Sequence, residues 1–219
     1  MIITYHGAAC FKVQFGDITL AFNPISKESA AYKPVRFGAD AALISTEHPD
    51  FNGVEQVSYG ERQPFIARGP GEYEVSGVVI RGYLSESEYD LSSQAGGKKR
   101  HNTIYVVKLE GMTLCYLGAL SEREIPQEAR EALENIDILF VPIGGNGVLD
   151  ASSAYKLTVA LEPRIIIPML YDAAGKNGDG ITTFLEEGGR EKVSSVDKLT
   201  VKQKDVATKE GEIVVLAAQ

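Results

Sequence analysis

The sequence predicts an α/β fold, rich in β-structure over its first half and alternating strands with helices over its second. Three observations carry this. Short alternating or β-branched apolar runs recur from the first residues onward. Gly16-Asp17 separates two of them, and both turn residues tolerate positive φ, which is a strong hairpin signal. Beyond Pro126, helix signals fall between two continuous β-branched runs, the pattern of a β-α-β unit with buried parallel strands.

In the first half, strands are expected at Ile2 to Tyr5, Cys10 to Phe15, Ile18 to Phe22, Ala41 to Ile44, Pro64 to Ala67 and Val78 to Tyr83, with Gly69-Pro70-Gly71 as a second punctuation mark. Thr103 to Leu109 and Met112 to Leu117, joined at Glu110-Gly111, form another hairpin. A helix from Pro126 to Asn135 starts with Pro at its first turn, and Asp150 can N-cap a helix from Ala151 to Leu161 that ends before Pro163. Ile136 to Pro142 and Arg164 to Met169 are the parallel strands around it. A helix at Ile181 to Glu187 then precedes strands at Lys198 to Lys202 and Glu212 to Leu216, separated by a charged turn. Gly144-Gly145-Asn146-Gly147 lacks both the Lys-Ser/Thr of a phosphate loop and the spacing of a dinucleotide fingerprint, and reads as a flexible strand-to-helix turn.

The 219 residues, 44% of them hydrophobic, suffice for one full core, so one domain over 1–219 is expected. No run approaches the ~18 apolar residues of a membrane span, and Met1-Ile2-Ile3-Thr4-Tyr5 enters a strand pattern without a signal-type segment, so a soluble cytoplasmic protein is expected. Cys10 and Cys115 lie in apolar surroundings, fitting inert buried thiols in a reducing compartment. A net charge of −8 with scattered cations excludes an extended nucleic-acid footprint. Lys98-Lys99-Arg100 follows Ser92-Ser93-Gln94-Ala95-Gly96-Gly97 and reads as a solvated loop.

The segment with most chemistry is Ser45-Thr46-Glu47-His48-Pro49-Asp50-Phe51-Asn52-Gly53, at the end of the apolar run Ala41 to Ile44. Open sheets place their sites at such strand ends. Around it stand ordered landmarks: Gly7-Ala8-Ala9-Cys10-Phe11, Asn23-Pro24, Gly69 to Glu74, Asn102 to Tyr105, Asp137-Ile138-Leu139, Pro142-Ile143-Gly144-Gly145, Leu149-Asp150-Ala151 and Ile165 to Tyr171. In these the chain resembles the metallo-β-lactamase superfamily, particularly its compact bacterial metal-dependent hydrolases, over nearly its whole length. The resemblance implies a four-layer αββα sandwich of two mixed β-sheets flanked by helices, and a dinuclear metal centre whose shared hydroxide attacks the substrate.

The ligands that the resemblance implies are mostly missing. The His-x-His-x-Asp-His motif falls on Thr46 to Phe51, leaving His48 and Asp50 as remnant metal candidates, with Thr46 and Phe51 in place of two histidines. The family's bridging carboxylate is Ala119, its last histidine is Leu170, and the histidine of its opening turn is Ala8. Its middle histidine falls within Leu84 to Asp90, where Glu86, Glu88, Tyr89 and Asp90 are the candidates to replace it. Each metal would keep one donor, against four for a structural zinc and three for a catalytic one. His6 and His101 occupy positions where the family places no ligand.

Carboxylates and imidazoles clustered without cations repel and are poorly solvated, at several kcal/mol per uncompensated buried charge, and apolar replacements relieve that. The sequence therefore predicts a degenerate, metal-free member of the fold with no expected cofactor and a non-catalytic binding, regulatory or structural role. Association with a second copy or an active relative, or capture of a small molecule in the vacated pocket, would suit it. The alternative is a hydrolase of a phosphoester, ester or lactone, with zinc in a rebuilt mononuclear site around His48, Asp50 and one of Glu47, Glu86, Glu88 or Asp90, or with His6. His48 and Asp50 can equally serve only to bond loop backbone. Ser45 and Ser121 lack the setting of a nucleophile elbow.

Overall fold

Alternating apolar residues in the first three runs build an antiparallel meander, seen in a computed structural model that describes residues 1–91, 98–171, 180–191 and 193–219. Strands β1 (Ile2–Tyr5), β2 (Phe11–Phe15) and β3 (Ile18–Phe22) pair in turn, with Phe15 opposite Ile18 across Gly16-Asp17. The sheet continues in parallel through β4 (Ala41–Ile44), buried throughout, to the edge strand β5 (Phe65–Arg68). A second sheet starts with the antiparallel strands β6 (Gly71–Val75), β7 (Val78–Ser87), β8 (Arg100–Leu109) and β9 (Met112–Tyr116). It turns parallel through β10 (Ile138–Pro142) and β11 (Ile165–Met169). Strand β12 (Leu199–Thr200) joins the first sheet beside β1, and β13 (Glu212–Ile213) joins the second beside β11. Among the described residues, two mixed sheets result, of six and seven strands.

Their packing explains why β9 to β11 read as unbroken apolar runs. Leu114, Tyr116, Ile138, Phe140, Ile165 and Ile167 face the other sheet, whereas Cys115, Leu139, Val141 and Ile166 face outward into a second core under the helices. Both faces are dry, so period-two alternation has no polar partner to show. Between the sheets, the Phe140 ring lies 4.7 Å from Phe11 and 5.8 Å from Phe22. Over the outer face lie α1 (Gln127–Arg130), α2 (Ala151–Leu161) and α3 (Gly180–Glu187), which bury Ala129, Ala154, Leu157 and Phe184. Asp150 caps α2 as expected, accepting from the Ser153 amide at 2.8 Å. The expected αββα sandwich is present, with its helix layer uneven. Phe11 points inward, so its neighbour Lys12 points out, and the Lys12 ammonium sits 5.4 Å over the ring of Phe37 from the irregular 25–40 segment.

Several expected elements differ. Gly71 to Val75 is a strand, not punctuation alone; it lies at a sheet edge with its side chains half-buried or exposed, which erased the apolar alternation. The Pro126 to Asn135 helix is one α-turn followed by a 3₁₀ turn at Glu131–Leu133, with Pro126 as its N-cap and Asn135 at φ +57°. The C-terminal strands shrink to β12 and β13, and a short helix, α4 (Gln203–Val206), replaces the charged turn between them. Arg100 opens β8 rather than lying in a loop, while Ser92 to Gly97 lie outside the described residues. The turn at Gly144 to Gly147 is pinned: a Cβ on Gly147 would stand 2.1 Å from the Glu88 carbonyl oxygen. No described helix is long and apolar enough to cross a membrane.

Candidate functional site

The loop leaving β4 crosses to the other sheet through an antiparallel bridge between Thr46 and Asn102. Asn102 is fully buried and saturated. Its amide donates to Ser85 Oγ at 2.8 Å and to the Leu117 carbonyl at 2.9 Å, while its Oδ1 accepts from Thr46 Oγ1 at 3.0 Å and from the Ala119 amide at 2.9 Å. Asn23, held at φ +43°, ties the loop from the other side, donating to Ser45 Oγ at 2.7 Å and accepting from the Ser45 amide at 2.8 Å. The intervening Gly118 sits at φ +62°, and a Cβ there would lie 2.4 Å from Asn102 Oδ1, so glycine is required. These polar residues spend their hydrogen bonds on one another and on the backbone, and so frame the site. Ser45 and Ser121 are structural too, Ser121 accepting from the Glu88 amide and donating to the Gly147 carbonyl.

Within this frame, the family's ligand positions are filled. Thr46 and Phe51 are buried, Phe51 completely; so are Ala119 and, at φ +61°, Leu170, whose amide donates to the Ala8 carbonyl at 2.8 Å. The Phe51 ring stands 4.6 Å from Tyr89 and 5.8 Å from His48, and the Tyr89 ring meets His48 edge-on at 5.1 Å. Of the four candidates for the middle position, Tyr89 is the one that turns inward. Its hydroxyl donates to Asp50 Oδ2 at 2.7 Å; burial, reinforced by Tyr32 and the Asp50 charge, pushes its phenol far up, so it stays a protonated donor. Glu86 and Glu88 instead turn to Lys99, each at 3.3 Å.

His48 and Asp50 are brought together, yet not as a chelate. Asp50 is buried, with Oδ1 accepting from Ser29 Oγ at 2.6 Å and Oδ2 from Tyr89. His48 Nδ1 accepts from the Asp50 amide at 3.2 Å and lies 3.5 Å from Asp50 Oδ2. With Nδ1 accepting, Nε2 carries the proton and faces Asp90 Oδ2 at 3.3 Å. Asp50 and Asp90 therefore flank opposite nitrogens of one ring, whose lone pairs diverge, and cannot close on one ion with it.

Glu47 points to Arg68 at 2.8 Å, and His6 stacks on Phe37 at 5.1 Å, its Nε2 buried without a partner among the described residues and its pKa lowered by burial and by Lys12. Among the described residues, no three His, Cys, Asp or Glu side chains are placed to hold a metal ion. The donor set does not fit the paired cations that the fold family implies. Cys10 and Cys115 are fully buried, which pushes both thiols well up and leaves them inert.

An αββα sandwich with its candidate site on the loop after β4 defines the class of protein. Residues 2–170 match the family described as beta-lactamase superfamily domain, and the chain belongs to that family as a divergent member lacking most of its metal ligands. Relatives include a metal-dependent hydrolase from Thermoplasma acidophilum, 25% identical over 194 residues (78% of this chain, 83% of the relative). Another, from Pyrococcus furiosus, is 25% identical over 201 residues (78% and 84%). A solved structure from Thermotoga maritima, of the metallo-β-lactamase superfamily, superimposes with a TM-score of 0.76 at 25% identity, covering 100% of this chain and 99% of that one.

Sequence reasoning located the loop after β4 that carries His48 and Asp50. It missed Asn23, Ser29, Asn102 and the choice of Tyr89. The intact Asn102 to Tyr105 landmark was the signal available for Asn102; nothing in the sequence separates Tyr89 from its acidic neighbours.

Proposed function

We propose that this chain is a metal-free, non-catalytic member of its superfamily, with a binding, regulatory or structural role. One observation carries the reading: the two retained donors are spent inside the protein, Asp50 on Ser29 and Tyr89, His48 on the Asp50 amide and Asp90. A metal would have to break these bonds and would gain too few ligands in return. The test is hydrolysis of a panel of phosphodiester, ester and lactone substrates together with metal analysis of untagged protein. The expected outcome is no rate above the His48→Ala/Asp50→Ala double variant and metal below about 0.2 equivalents. A rate abolished by that variant overturns the reading.

The names of the relatives favour a second reading, a hydrolase with one metal held by His48 and Asp50. It requires the Tyr89 hydroxyl to leave Asp50. Tyr89→Phe should then raise metal affinity, and an unchanged affinity counts against it.

A further inference from the structure

A cavity of about 390 Å³ lies beside the dismantled centre rather than in it. Thr46, Glu47, Arg68, Arg100 and His101 help to line it, and none of His48, Asp50, Ala119 or Leu170 does. The two sheets meet here: β5 ends in Arg68, β8 begins with Arg100, and the Thr46–Asn102 bridge joins them.

Of the two guanidinium groups, Arg68 has a carboxylate partner among the described residues and Arg100 has none. Arg68 Nη1 bonds Glu47 Oε2 at 2.8 Å, and Glu47 Oε1 also accepts from Asn52 at 2.5 Å. Arg100 is fixed by main-chain oxygens alone, its Nε donating to Tyr89 at 3.2 Å and its Nη1 to Glu47 at 3.5 Å. Among the described residues no carboxylate pairs with Arg100, and its Nη2 amino group has no acceptor. Two permanent cations and one carboxylate thus line the cavity, in a chain of net charge −8. An arginine oriented by neutral carbonyls, with part of its fork uncommitted in a concavity, suits a bound oxyanion. A planar carboxylate would be satisfied by one fork, whereas guanidinium donors supplied by both sheets, with the His101 imidazole on the lining, suit the several oxygens of a tetrahedral anion. The volume suits a small molecule.

We propose that this cavity binds a phosphate group, either as the free anion or as the head of a small phosphate monoester. Arg100 is its principal partner and Arg68 its second. Glu47 is the competitor that holds Arg68 in place when no anion is bound. The proposal requires neither a metal nor its absence, so it stands or falls separately from the metal-free reading above.

Isothermal titration of the full chain at constant ionic strength, with inorganic phosphate and with phenyl phosphate, tests it, sodium acetate serving as the control. Saturable binding of either phosphate and none of acetate is expected. Tighter binding of phenyl phosphate marks an ester ligand, and tighter binding of inorganic phosphate marks the free anion. Arg100→Gln should weaken binding about tenfold or more, and Arg68→Gln, at a more exposed side chain, severalfold. Glu47→Gln removes the competing charge and should strengthen it. Heats that never saturate, or binding indifferent to both Arg100→Gln and Arg68→Gln, would overturn the assignment, as would weakening by Glu47→Gln.

Discussion

The polar frame behind the site and the side chains that fill it have opposite characters. Asn23, Ser45 and Asn102 are buried amides and hydroxyls with their hydrogen bonds satisfied, and they hold the loop after β4 against the second sheet. Phe51, Ala119 and Leu170, buried at the family's ligand positions, offer nothing to a cation. Positioning and chemistry are therefore separable layers in this fold. The frame fixes backbone whatever stands in front of it, so the ligands can go while the loop keeps its course.

The contrast sharpens into measurable differences. Phe51→Ala should cost the most, about 3–5 kcal/mol by chemical denaturation, because a fully buried ring leaves a cavity that the framed loop cannot collapse into. Asn102→Ala should follow at about 2–4 kcal/mol, since the Ala119 amide, Leu117 carbonyl and Thr46 hydroxyl lose a buried partner together. If Asn102→Ala proved nearly neutral, the frame would not be the element that fixes the loop. Tyr89→Phe should cost about 1–2 kcal/mol by leaving one Asp50 oxygen without its donor.

The smallest effect is a pH dependence away from both layers. His6 has its folded-state pKa below 6.5 through burial and the Lys12 charge, so below 6.5 the unfolded chain binds the extra proton first. Stability should fall as pH drops through 6.5 toward the lower folded value, and His6→Leu should flatten that slope in denaturation curves taken across the window.

The sheets were legible in the sequence wherever one face or both were dry, as in β1 to β4 and β8 to β11. The edge strand β6 was illegible, because it carries exposed glutamates at Glu72 and Glu74. The loss of metal ligands was equally legible, because it is a matter of residue identity at landmark positions. The replacement was not. Tyr89 meets Asp50 across 39 residues, and Thr46 meets Asn102 across 56, so only the folded chain shows that the inward place goes to a phenol rather than to Glu86 or Glu88.

In the proposed reading, the protein's own side chains close the centre to metal. Equilibrium dialysis of the full chain against excess zinc, then against metal-free buffer, with the bound metal counted in wild type and in His48→Ala, addresses it directly. Less than about 0.2 equivalents retained, the same in both proteins, is expected. Near-stoichiometric zinc that is lost in His48→Ala would contradict it.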